Sequence, residues 1–580
     1  MATRVLDKAP FRLSAVNGRI CATGNDGVLR ALSRIEGSSI FESPYGPYIS
    51  FGGSRENIMA AEAMAAPAFV APEYNDLRRT LMAPDLGDLR MWRAIAPALS
   101  RPMMPHQEEF CAFAWPQRGV INGSEQGTGK TTTGIVLATA WAAKVTVVVV
   151  PKSLVSQWEV EWSTVVYDMS ETAIIPLVGL SIADRLDVLS SMMQIAPHIV
   201  VIVNYDVISK LKVRLVQIAK DHRMTLILDE SWRMKSESSA CCKALITIAD
   251  MCDHVICQTG TPVAQGIRDL WSQVRVVEGP SARMETLKEW IDWYEQMVWV
   301  KKNGRMQQVP RGCKDPVMLM RRLAKIFYRA QKASCLRLPP KLPVRRVQLD
   351  MPPDMRAVYK EIEKHGESAL GDGSSLAGER STTLRLQQVV GGFVFNPDGS
   401  YTEDEAGQTH DLRLRLIHSP KAEWLLQYAE DELLHDPSHR VIVWFKFNAE
   451  LLHMHRRLSK LYDEESHRIG IAVDDMPVDD DIESFNSRDI DGIQIYLCQY
   501  KKMAYGKNMQ GGDTHIYFSH TWSHVEKSQS ADRSHRIGRN DPVEYIELVM
   551  RNSIDGVILH ATDNLQDMQD RYAPDTTGGM

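Results

Sequence analysis

No stretch of this 580-residue chain stays apolar for the roughly 18 positions that a bilayer-spanning helix needs. Residues 1–12 also lack the apolar segment of a secretion signal, so a cytosolic or nuclear setting is expected. The nine cysteines form no C-x-x-C pair, which argues against a zinc ribbon or a disulfide framework. Cys241 and Cys242 are adjacent within a helical pattern and read as reduced thiols. A basic excess is missing too: the net charge is −6, so any nucleic-acid surface has to be a local groove rather than a coat. Carboxylates are absent from 316–348, where Arg321, Arg322, Lys325, Arg329, Lys332, Arg337, Lys341, Arg345 and Arg346 stand alone. A latch or solvated helix face and a phosphate contact both remain open for that segment.

What is present is ordinary in bulk, with 44% hydrophobic and 24% charged residues. The organising stretch is Ser124-Glu125-Gln126-Gly127-Thr128-Gly129-Lys130-Thr131. It fits a phosphate-binding loop, in which backbone N–H groups curl around phosphates, the Lys reaches the β and γ groups, and the Thr hydroxyl sits on magnesium. The first position is Ser124 rather than Gly. A strand at 119–122, a helix over 130–143 and a buried parallel strand at 145–150 flank the loop, so its N–H groups open a helix whose dipole faces the anion.

Further strands end in polar residues, the place where open α/β sheets bind ligands. The strand at 145–150 leads into Lys152 and Ser153, one at 199–203 into Asn204, and one at 255–258 into Thr259 and Thr261, and these five are the expected nucleic-acid contacts. The strand at 224–228 runs into Asp229-Glu230. Two carboxylates at the end of a buried strand are costly unless a cation or a proton task offsets their desolvation. Asp229 is expected to hold magnesium, and Glu230 to orient and deprotonate the attacking water.

Residues 1–95 read as a small α+β module with helices at 26–35 and 57–64, serving either as a structural cap or as a DNA-binding accessory. Residues 96–280 form the first lobe. Residues 281–410 are expected to be helical insertions, the basic segment and a linker, with a mobile Gly/Ser stretch at 371–381 and a hairpin at 393–401. A second doubly wound lobe, 411–580, has strands at 441–445, 470–473, 493–497, 515–518 and 545–549 but no phosphate loop. It carries Gln529, Arg533 and Arg536 in an arginine-rich segment ending at Arg539. Arginines three apart share a helix face, and aimed at a γ-phosphate they act as fingers. Trp158 and Trp522 are read either as base-stacking residues or as core.

Taken in order, these segments resemble the Swi/Snf-type ATPases of helicase superfamily two, over roughly residues 105–559. Pro105-His106-Gln107 resembles the adenine-reading motif, with Gln107 as reader. Ser124 to Thr131 resembles the family's Asp-Glu-x-Gly-x-Gly-Lys-Thr loop, and Asp229-Glu230-Ser231-Trp232-Arg233-Met234-Lys235 its Asp-Glu-Ala-His-Arg-x-Lys. Trp232 stands where the family has His, which puts the usual link from the carboxylates to the second lobe in doubt. Thr259 to Pro262 matches Thr-Gly-Thr-Pro; Leu338 to Lys341 resembles the Leu-Pro-Pro-Lys hinge; Gly506 and Asn508 fall in a Gly-x-Asn-Leu-like motif. Gln529 to Arg539 resembles Gln-Ala-x-Asp-Arg-x-His-Arg-Ile-Gly-Gln, with Arg539 for the last Gln.

The resemblance implies two tandem RecA-like lobes, ATP and magnesium as cofactors, and translocation on double-stranded or branched DNA, with RNA left open and no membrane partner. Its compactness resembles bacterial or phage versions, hence an expected cytoplasmic location. Alternatives are a strand-separating helicase on DNA or RNA, and a non-hydrolysing nucleic-acid-binding regulator. Intact Lys130, Asp229, Glu230, Arg533 and Arg536 argue against the regulator.

Overall fold

The computed structural model describes residues 12–577 except 25, 44–45, 65–68, 83–85, 235, 281–285, 303–304, 369–374, 396–400, 404–408, 412–413, 434, 463–467, 474–477, 490 and 504–507. Two compact units emerge: residues 1–337 together with 565–580, and residues 338–564.

The first unit opens with strands β1 (Arg12–Val16), β2 (Arg19–Thr23), β3 (Ser39–Ser43), β4 (Gly46–Gly52) and β5 (Phe69–Val70), in sheet order β3-β4-β2-β1-β5. Alternation along these strands separates two faces. Leu13, Ile20, Ala22, Ile49 and Phe51 are all fully buried on one face, against the helices Asp26–Leu32, Arg55–Met64 and Pro72–Met82. That core is continuous with the next sheet's core, and Arg55 donates to the carbonyls of Met82 and Phe327. The separate module expected over 1–95 is therefore built into the first unit.

A second sheet holds β6 (Gly119–Asn122), β7 (Val145–Val150), β8 (Thr172–Pro176), β9 (His198–Asn204), β10 (Met224–Asp229) and β11 (His254–Gln258). After these come an antiparallel hairpin of β12 (Glu295–Lys302) and β13 (Arg305–Cys313), and then β14 (Phe327–Tyr328). The sheet is wholly parallel in the order β14-β6-β11-β10-β7-β9-β8, as its unbroken apolar runs require.

The second unit contains another parallel sheet. It comprises β15 (Arg345–Leu349), and later β20 (Val441–Phe445), β21 (Ile469–Ala472), β22 (Ile495–Gln499), β23 (Thr514–Tyr517) and β24 (Glu544–Met550), in the order β15-β24-β23-β20-β22-β21. Between β15 and β20 lie the short strands β16 (Phe393–Phe395), β17 (Tyr401–Glu403), β18 (Thr409–Asp411) and β19 (Leu414–Leu416). Both large sheets are covered by helices, so the class is α/β with two doubly wound lobes.

Several expectations need correction. The segment 281–410 is not one insertion: β14 joins the first lobe's sheet, β15 joins the second's, and the units divide after Arg337. The hairpin expected at 393–401 does not form, because β16 pairs with β19 while β17 pairs with β18. Of the stretch 371–381, residues 375–381 begin the helix Ser375–Gly391, and 371–374 lie outside the described residues.

The second lobe does not run to residue 580, because residues 565–577 belong to the first unit. There Arg329, fully buried, donates to the carbonyls of Gln569 and Ala573, and its backbone N–H donates to the Thr576 hydroxyl. Arg329 also lies 3.7 Å from Glu125 and from Asp570.

Several cations of the basic segment are engaged by carboxylates of their own unit. Arg321 pairs with Glu36, Arg322 with Glu278, Arg345 with Glu544, and Arg346 with Glu547 and Asp563. Among the described residues no helix is long and apolar enough to cross a membrane.

Candidate active site

Parallel register brings the chemistry-bearing residues to one sheet edge. Asp229 lies beside Gln258, Gln258 beside Asn122, and Val150 beside Asn204. The loops that follow these strands therefore leave the sheet at its carboxyl end.

Between β6 and the helix Lys130–Trp141, Gly127 and Gly129 take left-handed φ values of 81° and 85°. At Gly129 a Cβ would meet the Gln107 amide nitrogen at 2.1 Å, so a side chain there would close the cradle. Lys130 Nζ donates to the carbonyls of Ser124 (2.9 Å) and Glu125 (3.1 Å), which holds the ammonium over the loop. The Ser124 hydroxyl accepts the Ala330 N–H, a structural task that explains a hydroxyl where the phosphate-loop pattern has Gly. Gln107 is buried; its amide donates to Thr128 O (3.1 Å) and accepts from Met104 N–H (2.9 Å), so it is tied to the loop itself.

The carboxylate pair is buried and held by indoles. Trp158 Nε1 donates to Asp229 Oδ2 at 2.8 Å, and Trp232 Nε1 donates to Glu230 Oε2 at 2.9 Å. Trp158 is thus a core residue that orders the site, and Trp232 keeps an N–H donor where the resembled family has His. Glu230 itself sits at φ 54°, a backbone state uncommon outside glycine that sets where its carboxylate points. Burial, with the adjacent Asp229 charge second, pushes the Glu230 carboxyl up to about 7; burial likewise raises Asp229.

Two adjacent buried carboxylates at the carboxyl end of the parallel sheet are a donor set that fits a divalent cation. A base must be ionised to accept a proton. The kcat/KM for ATP hydrolysis is therefore expected to fall about tenfold per pH unit below about 7 and to level off above it. A pH profile of kcat/KM that stays flat from pH 5.5 to about 8 would remove Glu230 from that role.

Thr259 and Thr261 are fully buried against this pair: the Thr259 hydroxyl reaches Glu230 Oε2 at 3.5 Å and accepts the Thr261 N–H. Gly260 between them sits against Gln126, and a Cβ there would lie 3.7 Å from Lys130 Nζ. Their expected nucleic-acid role is corrected accordingly, since neither hydroxyl faces solvent. Asn204 is also buried, donating to Asp206, and fails the same expectation. Lys152 and Ser153 are exposed at the sheet edge. Sequence reasoning missed Tyr205, whose hydroxyl donates to the Asp229 carbonyl at 2.8 Å, and Gln258, whose amide donates to Lys130 O. Both are polar residues within or directly after apolar strands, and that was the available signal.

In the second unit Arg533 is buried and donates to Gln529 O, while Arg536 is half-buried and donates to Asp532 O. Gln529 is buried as well. The hinge-like 338–341 segment is tied to this helix end, His535 contacting Pro339 O at 2.8 Å and Lys341 pairing with Asp532 at 3.1 Å. Arg539 serves structure, pairing with Asp513 at 2.7 Å and donating to Gln510 O. Asn508 is exposed, its carbonyl accepting from Asn486; Gly506 and Lys235 lie outside the described residues. Trp522 is partly exposed and donates to Gln387.

A family model described as the SNF2-related domain matches residues 57–389. Nuclear protein STH1/NPS1 of Saccharomyces cerevisiae is 23% identical over 461 residues, covering 76% of this chain and 32% of that protein. Chromodomain-helicase-DNA-binding protein 1-like of Mus musculus is 23% identical over 506 residues, covering 85% of this chain and 51% of that protein. The chain thus spans between a third and a half of these relatives' lengths. A solved structure, the Sulfolobus solfataricus SWI2/SNF2 ATPase core in complex with dsDNA, aligns over 83% of this chain and 95% of that chain at 17% identity and a TM-score of 0.36.

Proposed function

The chain belongs to the SNF2-related family, and from that premise we propose that it is a nucleic-acid-dependent ATPase of helicase superfamily two that tracks on duplex or branched DNA. Its work is to remodel that DNA or to displace protein bound to it. The carrying observation is the buried Asp229-Glu230 pair, ordered by two indole N–H groups at the same sheet edge as the Lys130 loop.

Each residue's role follows from its chemistry. The loop N–H groups from Gln126 to Thr131 and the Lys130 ammonium bind the nucleotide's phosphates, with Gln107 and Ser124 bracing the loop. Thr131 and Asp229 hold magnesium, which neutralises phosphate charge when bound. Glu230 takes the proton of the attacking water, and Thr259 and Trp232 fix its carboxylate. Arg533 and Arg536, with Gln529, Gly506 and Asn508 beside them in sequence motifs, supply the second lobe's cations and polar groups for the charge that develops on the γ-phosphate. Lys152 and Ser153 offer exposed contacts to a DNA backbone. The protein acts on nucleic acid in the cytoplasm or nucleus.

The test is steady-state ATP hydrolysis without nucleic acid and then with duplex DNA, forked DNA, single strands and RNA at two salt concentrations. Stimulation by duplex or forked DNA that weakens with salt is expected. Stimulation by RNA or single strands alone would replace translocation on duplex with strand separation.

A further inference from the structure

Among the described residues the first sheet packs one face of β1, β2 and β4 against helices and leaves the other face partly exposed, and that open face has a composition that the motor does not use. Side chains on it come from alternate positions: Arg12, Ser14 and Val16 on β1, Arg19, Cys21 and Thr23 on β2, Ser39, Phe41 and Ser43 on β3, Tyr48 and Ser50 on β4. Phe41 is 45% exposed and Val16 57%, against complete burial of Leu13, Ile20 and Ile49 on the other face.

Register aligns one row straight across four strands. Phe41 lies opposite Tyr48, Tyr48 opposite Thr23, and Thr23 opposite Arg12. At about 4.8 Å per strand the row runs roughly 14 Å from a pair of rings to a guanidinium. The two rings are stacked, with centroids 5.3 Å apart and planes 21° from parallel. Beside this row Arg19 is fixed by donating to the Ser50 hydroxyl and to Gly37 O. The described positions of this face carry two arginines, hydroxyls and no carboxylate, in a chain whose net charge is −6. Glu42 on β3 has the opposite parity.

Exposed rings on a sheet, flanked by guanidinium and hydroxyl groups, match a ligand that presents flat π-faces and anionic phosphates together. A duplex hides its base faces, and a protein partner would find only Val16 as an aliphatic anchor among the exposed residues of this face. We propose that the open face of the N-terminal sheet is a binding platform for unpaired nucleic acid, bases stacking on Phe41 and Tyr48 and phosphates meeting Arg12 and Arg19. The platform is separate from the nucleotide site and does not depend on hydrolysis.

The test uses the full chain without nucleotide and fluorescence anisotropy of a labelled oligothymidylate of about 20 nucleotides, with oligouridylate and a duplex of equal length in parallel. Phe41→Ala/Tyr48→Ala is expected to weaken binding of the thymidylate at least about tenfold, and Tyr48→Phe, which keeps the ring, to bind like wild type. Arg12→Gln is expected to lower the slope of log affinity against log salt by about 0.7. Duplex-stimulated ATP hydrolysis stays unchanged in all three, and Glu230→Gln, whatever its hydrolysis, still binds the single strand. Equal losses with uridylate make the site indifferent to the sugar, and losses with thymidylate alone restrict it to DNA; both support the platform. Unchanged thymidylate affinity in the double variant overturns it. So does a parallel loss of duplex-stimulated hydrolysis, which would mean that the substitutions damage the first unit as a whole.

Discussion

Glu230→Gln is expected to cut ATP hydrolysis by about a hundredfold to ten-thousandfold while leaving nucleotide binding close to wild type. The substitution keeps the volume and an oxygen for the Trp232 N–H, and removes only the capacity to accept a proton. Single-turnover hydrolysis and binding of a fluorescent ATP analogue separate the two effects. Near-normal turnover would move the base elsewhere, and loss of binding would mean that the carboxylate holds the nucleotide instead.

The same variant carries a stability signature. Burial and Asp229 raise the folded carboxyl to about 7, well above its unfolded value, so the ionised form costs folding free energy. That cost grows as pH rises from the ordinary carboxylate range and is complete above about 7. Glu230→Gln should therefore melt at a higher temperature than wild type at pH 8, and the gain should shrink toward zero as the pH is lowered below about 4.5.

Lys130→Ala is expected to bring ATP turnover to background, with transition-state stabilisation alone contributing about a hundredfold to a thousandfold and phosphate binding the remainder. Its melting temperature should fall modestly at pH 8 and less at pH 5, because the ammonium's two hydrogen bonds stay within the loop while its charge offsets the buried Asp229 and Glu230 carboxylates. An inactive variant that also melts much lower would show that the ammonium braces the lobe. Turnover near wild type would end the phosphate-loop assignment.

Much of this could be read from the chain because the signals are local. Val145–Val150 is an unbroken apolar run that only a sheet covered on both faces can hold, and it forms a central strand. Asp229-Glu230 declares itself by the cost of putting charge at the end of Leu226-Ile227-Leu228. What stayed hidden depends on partners far away in sequence. Phe327–Tyr328 is too short to announce a strand and exists because β6 offers it an edge. Trp158 looks like any core indole until its N–H is seen on Asp229, 71 residues on. The turn residues of 396–400 point Phe393–Phe395 at Tyr401, and the chain instead pairs it with Leu414–Leu416. The arginines of 316–348 carry no mark of their carboxylates, which come from as far apart as Glu36 and Asp563.

The burial of Arg329 under residues 569–576 bears on how the molecule is made. Arg329 sits between Glu125 of the phosphate loop and a segment translated only after all of 338–564 has left the ribosome. The nucleotide cradle of the first lobe therefore reaches its final surroundings last, after the other unit's chain is complete. A nascent chain halted before residue 565 carries every phosphate-binding residue but leaves a buried guanidinium uncovered. Burial of the Arg329 guanidinium beside the phosphate loop is in this way postponed until residues 569–576 have been made, a sequence-distant closure of the kind that forms slowly and leaves surface exposed meanwhile.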